Sequence, residues 1–175
     1  VQLDGAFYPA LIFGITGSGK TEVYLHLMEK VLLRDPEAQV LLMVPEINLT
    51  PQLVEKVQSR FPQFEVVSWN SGMAEGQKAS SWLACHEGRA RILVGTRLSV
   101  FASFKSLKLI LVDEEHDPSF KSQEGVRYNA RDLALKRASI EQIPIVLGSA
   151  TPSLESYKNA LDGKFKLFKL TQRAN

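Results

Sequence analysis

The chain has 175 residues, the length of one ordinary globular domain, and 45% hydrophobic residues are enough to build a core. A formal net charge of +2 and a pI near 8.7 exclude a global electrostatic footprint that would by itself demand nucleic acid. The single cysteine, Cys85, excludes an intramolecular disulfide framework and a cysteine-rich zinc site.

Ala10 to Phe13 is an aliphatic run that predicts a buried strand. It leads into Gly14-Ile15-Thr16-Gly17-Ser18-Gly19-Lys20-Thr21, the full P-loop pattern. Thr21 to Leu33 then predicts a helix with Leu25, Met28, Val31 and Leu32 on one face. Strand, glycine loop and helix stand in the order the motif requires. Glycines let successive N–H groups turn inward around phosphate oxygens, and the helix N-terminus adds partial positive charge there. Gly14, Thr16, Gly17, Ser18, Gly19, Lys20 and Thr21 are therefore the candidate nucleotide-binding residues. Lys20 suits the β- and γ-phosphates, and the Thr21 hydroxyl suits Mg²⁺. The bland alternative, a glycine-rich turn with a solvated lysine, must explain all four fixed positions in the right context.

Val40 to Val44, Glu65 to Val67 and Arg91 to Val94 predict further strands, interleaved with helices over Gln52 to Arg60 and Gln77 to Glu87. Leu107 to Val112 is the next strand; it is far too short for a membrane span, and Val1 begins no signal-peptide pattern, so a cytoplasmic protein without membrane contact is expected. This strand runs into Asp113-Glu114-Glu115-His116. Alone, an acidic turn is usually a solvated loop; after a P-loop it completes an ATPase site. Asp113 is the candidate Mg²⁺ partner, and Glu114 is placed to polarise the attacking water. His116 is either structural or a sensor linking nucleotide state to other elements. The polar stretch Asp117 to Arg127 reads as an exposed loop, followed by a helix over Ala130 to Ile140 and a strand over Ile145 to Leu147. Alternating strands and helices predict an α/β fold with a mostly parallel sheet flanked by helices on both faces. With no internal repeat or linker, residues 1–175 read as a single domain.

With both sites placed, the chain resembles the superfamily 2 helicases, and within them the primosomal replication-restart helicases. The shared marks run almost end to end: Gly19-Lys20-Thr21-Glu22-Val23-Tyr24, Val44-Pro45-Glu46-Ile47 with Leu49-Thr50-Pro51-Gln52, and Gly95-Thr96-Arg97. They continue with Asp113 to Asp117, Arg127-Tyr128-Asn129-Ala130-Arg131-Asp132, and Leu147-Gly148-Ser149-Ala150-Thr151-Pro152-Ser153. The resemblance implies the first of two RecA-like motor domains, cut from a longer protein that uses ATP and Mg²⁺ to translocate on single-stranded DNA and to restart stalled replication forks. It implies as partners single-stranded and forked DNA, a second RecA-like domain, the primosome and single-strand-binding proteins. Zinc is expected elsewhere in full-length members and not in this stretch. Elements that hold the adenine are expected upstream, and a catalytic arginine is expected from the second domain, which leaves the chain alone catalytically incomplete.

By the same resemblance, Ser149 and Thr151 join His116 in coupling the nucleotide site to domain movement, with a plain strand-end turn as the alternative. Pro45, Glu46, Thr50, Gln52, Thr96 and Arg97 fall in segments that line the nucleic-acid groove, where hydroxyls, amides and a guanidinium bind phosphates without reading sequence. Pro45 and Thr50 equally suit a turn and a helix cap. Phe120, Lys121, Arg127 and Tyr128 resemble an aromatic-rich loop that contacts single-stranded DNA, although Phe120 and Tyr128 equally suit pinning the loop to the core. Asn70 and Asn129 stand where the family usually has histidine, and Phe120 where it usually has tyrosine; these departures bear on DNA contact and coupling and do not touch the phosphate chemistry. Two rival readings remain: a duplex DNA translocase of the recombination or transcription-repair type, and a non-catalytic nucleotide-binding module.

Overall fold

Successive strand residues point to opposite faces of a sheet, and in this chain both sets are apolar, so both faces need a cover. The computed structural model describes residues 1–171. Seven strands, β1 (Tyr8–Gly14), β2 (Gln39–Met43), β3 (Glu65–Trp69), β4 (Ala90–Gly95), β5 (Leu107–Val112), β6 (Pro144–Ser149) and β7 (Lys166–Leu170), form one sheet in the order β3-β4-β2-β5-β6-β1-β7. All of its strand pairings are parallel.

Helices α1 (Lys20–Arg34) and α2 (Pro51–Arg60) cover one face, where Tyr24, Leu25, Met28, Val57 and Phe61 pack on Ile12, Val40, Leu42, Leu109 and Leu111. Helices α3 (Glu75–His86), α4 (Ala130–Glu141) and α5 (Leu154–Leu161) cover the other, packing on Leu11, Leu41, Leu93, Ile110, Val112 and Leu147. The alternation within β5 shows the logic: Leu109 and Leu111 serve the first core, Ile110 and Val112 the second, and all four are fully buried. Each such side chain contributes about 1.5–3 kcal/mol of transfer free energy. Ala130, Ala134 and Ala138 recur every fourth residue on α4 and give that helix a small, buried stripe.

Helix starts follow local chemistry. Thr50 accepts a hydrogen bond from the Leu53 N–H with Pro51 at the first helical position, Asn129 accepts from Arg131, and Ser153 accepts from Ser156. The six expected strands and four expected helices are all present, most with slightly longer limits. Helix α5 and strand β7 were not anticipated. Strand β7 pairs only with β1 at the sheet edge, so its Lys166 and Lys169 remain exposed and interrupt the apolar run that would mark a buried strand.

This topology brings the C-terminal ends of β5, β6 and β1, which are consecutive in the sheet, to one edge. Open α/β sheets bind their ligands in the crevice beyond the carboxyl ends of their strands.

Candidate functional site

The P-loop occupies the turn between β1 and α1. Gly17 and Gly19 adopt left-handed φ angles of 78° and 84°, which a side chain would strain, and Thr16 and Gly17 form its exposed crest. A Cβ on Gly14 would lie 2.5 Å from Ser18 Oγ, so only glycine permits that close approach. A Cβ on Gly17 would meet nothing within 4 Å, which leaves space above the loop. Gly19 provides no side-chain cap for the first-turn N–H groups of α1, and Ser18 Oγ is buried without a hydrogen-bond partner among the described residues. First-turn N–H groups without a capping side chain fit phosphate oxygens at a helix N-terminus. Lys20 is only 8% exposed; its Nζ donates to the Gly14 carbonyl at 2.9 Å and lies 3.9 Å from Glu114 Oε1. Thr21 is half-buried in the first turn of α1.

Asp113 follows β5 directly, and its N–H donates to the Met43 carbonyl at 2.8 Å. The buried Tyr24 hydroxyl, reaching across from α1, donates to Asp113 Oδ1 at 2.9 Å. Burial pushes the Asp113 carboxyl up, against the opposing pull of the Tyr24 hydrogen bond and the Lys20 charge. Glu114 is also raised, first by burial and then by the charge of Asp113. Tyr24 lies well above its ordinary value because it is buried and faces Asp113, and it remains a protonated donor.

Glu114 has φ 46°, a left-handed backbone that costs a non-glycine residue about 1–2 kcal/mol. After this turn the Glu115 N–H donates to the Gly148 carbonyl at 3.1 Å, joining the ends of β5 and β6. Glu115 is 1% exposed, and its carboxylate accepts from Arg131 (3.0 Å), the Ser153 N–H (2.7 Å), Ser153 Oγ (3.1 Å) and Ser156 Oγ (2.9 Å). His116 Nδ1 lies 2.6 Å from Ser149 Oγ, His116 Nε2 lies 3.4 Å from Thr151 Oγ1, and the Thr151 N–H donates back to Ser149 Oγ at 2.9 Å. His116 Nδ1 also stands 3.6 Å from Glu114 Oε2. Lys20, Asp113, Glu114, His116, Ser149 and Thr151 are thus joined by contacts along one edge of the sheet.

The residues read as a nucleic-acid face divide. Gln52, Lys121 and Arg127 are exposed and Tyr128 is half-buried, its ring edge-on to the 55% exposed Phe101 at 5.3 Å between centroids. Lys121, Ser122, Arg127, Tyr128 and Asn129 border a cavity of about 420 Å³ floored by Arg131 and Ser153. Arg97 Nη1 donates to the Lys121 carbonyl at 3.1 Å and ties the loop to the end of β4. Three of these positions are buried. Phe120 is 1% exposed: Asp117 caps a short 3₁₀ turn over Pro118–Phe120 that turns the ring into the core, as the packing alternative for this residue expects. Pro45 is buried at the turn after β2, and Thr96 is buried with its hydroxyl donating to Glu46 Oε1 at 2.8 Å. Glu46 is exposed but engaged, also accepting from Ser71 at 3.3 Å, and Thr50 caps α2. Sequence reasoning missed Tyr24, Glu115, Arg131, Ser153 and Phe101. The first four lie inside quoted motifs, which was the available signal; Phe101 carries none.

Among the described residues no group of three or more His, Cys, Asp or Glu side chains could hold a metal ion. Thr21 and Asp113 suit Mg²⁺, which characteristically takes one or two protein oxygens and completes its shell with phosphates and water. No helix among the described residues is long and apolar enough to cross a membrane.

Residues 9–160 match the model of the DEAD/DEAH box helicase family. The chain belongs to the DEAD/DEAH box helicases. Membership implies ATP and Mg²⁺ binding in general. This helicase domain is 47% identical over 165 residues to Replication restart protein PriA of Bacillus subtilis, a match covering 94% of the chain and 20% of that protein. It is 44% identical over 164 residues to the PriA of Haemophilus influenzae, covering 94% and 22%. The chain therefore spans about a fifth of the length of these curated relatives. RecG bound to a three-way DNA junction shares the fold with a TM-score of 0.65 at 21% identity, over 96% of this chain and 21% of that one. The fold is that of a RecA-like P-loop NTPase domain.

Proposed function

We propose that this chain is the first ATP-binding motor domain of a replication-restart DNA helicase, which couples ATP hydrolysis to translocation on single-stranded DNA at stalled forks. The observation that carries this reading is Lys20 beside Glu114 at the edge where Asp113 is held by α1, in a chain 47% identical to a PriA. Gly14, Thr16, Gly17, Ser18 and Gly19 hold phosphate oxygens through backbone N–H groups. Lys20, which donates to the Gly14 carbonyl, would exchange that partner for phosphate oxygens, and Thr21 and Asp113 would hold Mg²⁺. Mg²⁺ held there would supply charge neutralisation for the phosphates. Glu114, not fixed to the metal, orients the attacking water and accepts its proton. His116, Ser149 and Thr151 carry nucleotide state toward the second motor domain.

Gln52, Arg97, Lys121, Arg127 and Tyr128 form the DNA-facing set, which grips backbone and bases without reading sequence. The partners are single-stranded and forked DNA, the second RecA-like domain, the primosome and single-strand-binding proteins, in the cytoplasm. A duplex translocase is the weaker reading, because RecG shares only the fold at 21% identity. A non-catalytic module would have no need to retain Lys20, Thr21, Asp113 and Glu114 together.

The test compares DNA-stimulated ATP hydrolysis by the full-length protein and by the 175-residue chain. Full-length protein is expected to turn over rapidly with single-stranded DNA, and the chain alone slowly, because an arginine of the second domain completes the site. Absence of DNA-stimulated turnover in the full-length protein would overturn the helicase reading.

A further inference from the structure

The Tyr24 ring is buried on α1 with no role in the nucleotide chemistry derived above. Its hydroxyl meets two elements of the site at once: it donates to Asp113 Oδ1 at 2.9 Å, and it lies against the backbone of Gly148. A Cβ on Gly148 would sit 1.7 Å from that hydroxyl and 2.9 Å from the ring carbon that bears it, so the tyrosine fits only because position 148 has no side chain. Tyr24 is 1% exposed, and its ring is held in the α1 core among residues such as Leu25, Met28, Leu109 and Leu111. A rigid donor on α1 therefore fixes one oxygen of a carboxylate at the end of β5, and hence the plane of that carboxylate. A phenylalanine would fill the same core equally well; only the hydroxyl needs Asp113.

We propose that Tyr24 is the positioning residue for the metal-binding carboxylate: its hydroxyl, seated against Gly148, sets the orientation in which Asp113 meets Mg²⁺. The proposal rests on the reading of Asp113 as the Mg²⁺ partner. Groups that orient a metal-binding side chain through a hydrogen bond contribute about 10–100-fold to metal affinity or activity.

The test is a titration of the full-length protein, saturated with ADP, with Mn²⁺ as a spectroscopic substitute for Mg²⁺, with free Mn²⁺ read by electron paramagnetic resonance. Tyr24→Phe is expected to weaken Mn²⁺ binding about tenfold, while ADP affinity in the presence of EDTA stays within twofold of wild type. Replacing Tyr24 with p-aminophenylalanine, which restores a donor at the same place, is expected to recover most of the loss. Asp113→Asn is the control that separates the two readings. If Asp113→Asn weakens Mn²⁺ binding and Tyr24→Phe does not, Tyr24 is only a core residue and the proposal fails. If Asp113→Asn has no effect, the assignment of Asp113 to the metal fails, and this proposal falls with it. Should Tyr24→Phe not fold, Gly148→Ala displaces the hydroxyl instead; Mn²⁺ affinity equal to wild type in that variant overturns the proposal.

Discussion

Arg131 Nη1 lies 3.0 Å from Glu115 Oε2, an ion pair with the arginine 6% and the glutamate 1% exposed. Two serine hydroxyls and the Ser153 N–H complete the shell of the glutamate, so the buried charge is fully compensated. The shell joins the acidic turn after β5 to the starts of α4 and α5 through Arg131 and Ser153, which the chain reaches only 16 and 38 residues later. Arg131→Ala leaves Glu115 charged, buried and short of its cation, and is expected to lower unfolding free energy by about 3–5 kcal/mol. Urea denaturation measures it; a loss below about 1 kcal/mol contradicts a compensated buried pair.

The loop after His116 separates packing from contact by residue. Phe120→Ala removes a buried ring and is expected to destabilise the fold by about 3–5 kcal/mol. Lys121→Ala and Arg127→Ala remove exposed charges and are expected to change stability by no more than about 0.5 kcal/mol. Each of the two is expected to flatten the salt dependence of single-stranded DNA binding by about one in the log–log slope. Unchanged salt slopes for both would place the DNA elsewhere on the domain.

Asp113 and Glu114 are both raised from their ordinary values, with burial the largest cause. A carboxyl whose folded pKa exceeds its unfolded value binds more protons in the folded state. Its contribution to stability therefore falls as pH rises from the ordinary carboxylate range through the folded pKa. Asp113→Asn and Glu114→Gln remove this loss and are expected to raise the Tm at pH 7 in EDTA, with the gain shrinking as pH falls toward 4. A lower Tm at pH 7 for both variants contradicts the sign. Stability gained where activity is lost marks a site held against its own folding preference.

The strand, glycine loop and helix around Gly14 to Thr21 and the acidic turn that follows β5 were legible because each is marked by few residue types at fixed spacing. The strands were legible because burial on both faces writes a continuous apolar run, as in Leu107 to Val112. Phe120 was not, since an aromatic in a polar stretch looks the same whether it stacks on a base or fills a core; the Asp117 cap and the turn it starts decide which. Glu115 and Arg131 look like surface charges in sequence, and only the topology that places α4 and α5 over the end of β5 buries them together. Tyr24 lies inside a quoted motif, but its partners are 89 and 124 residues away, a distance no local pattern spans.

The most direct measurement is ATP hydrolysis by the full-length protein with single-stranded DNA, compared among wild type, Lys20→Ala and Glu114→Gln. Lys20→Ala is expected to lower kcat at least about 100-fold, the scale for removing a charge-stabilising group from a transition state. Glu114→Gln is expected to lower kcat as strongly while leaving nucleotide affinity near wild type, because it removes the group that handles water rather than phosphate. DNA-stimulated hydrolysis within a few-fold of wild type in Lys20→Ala would contradict the assignment of the ATP site.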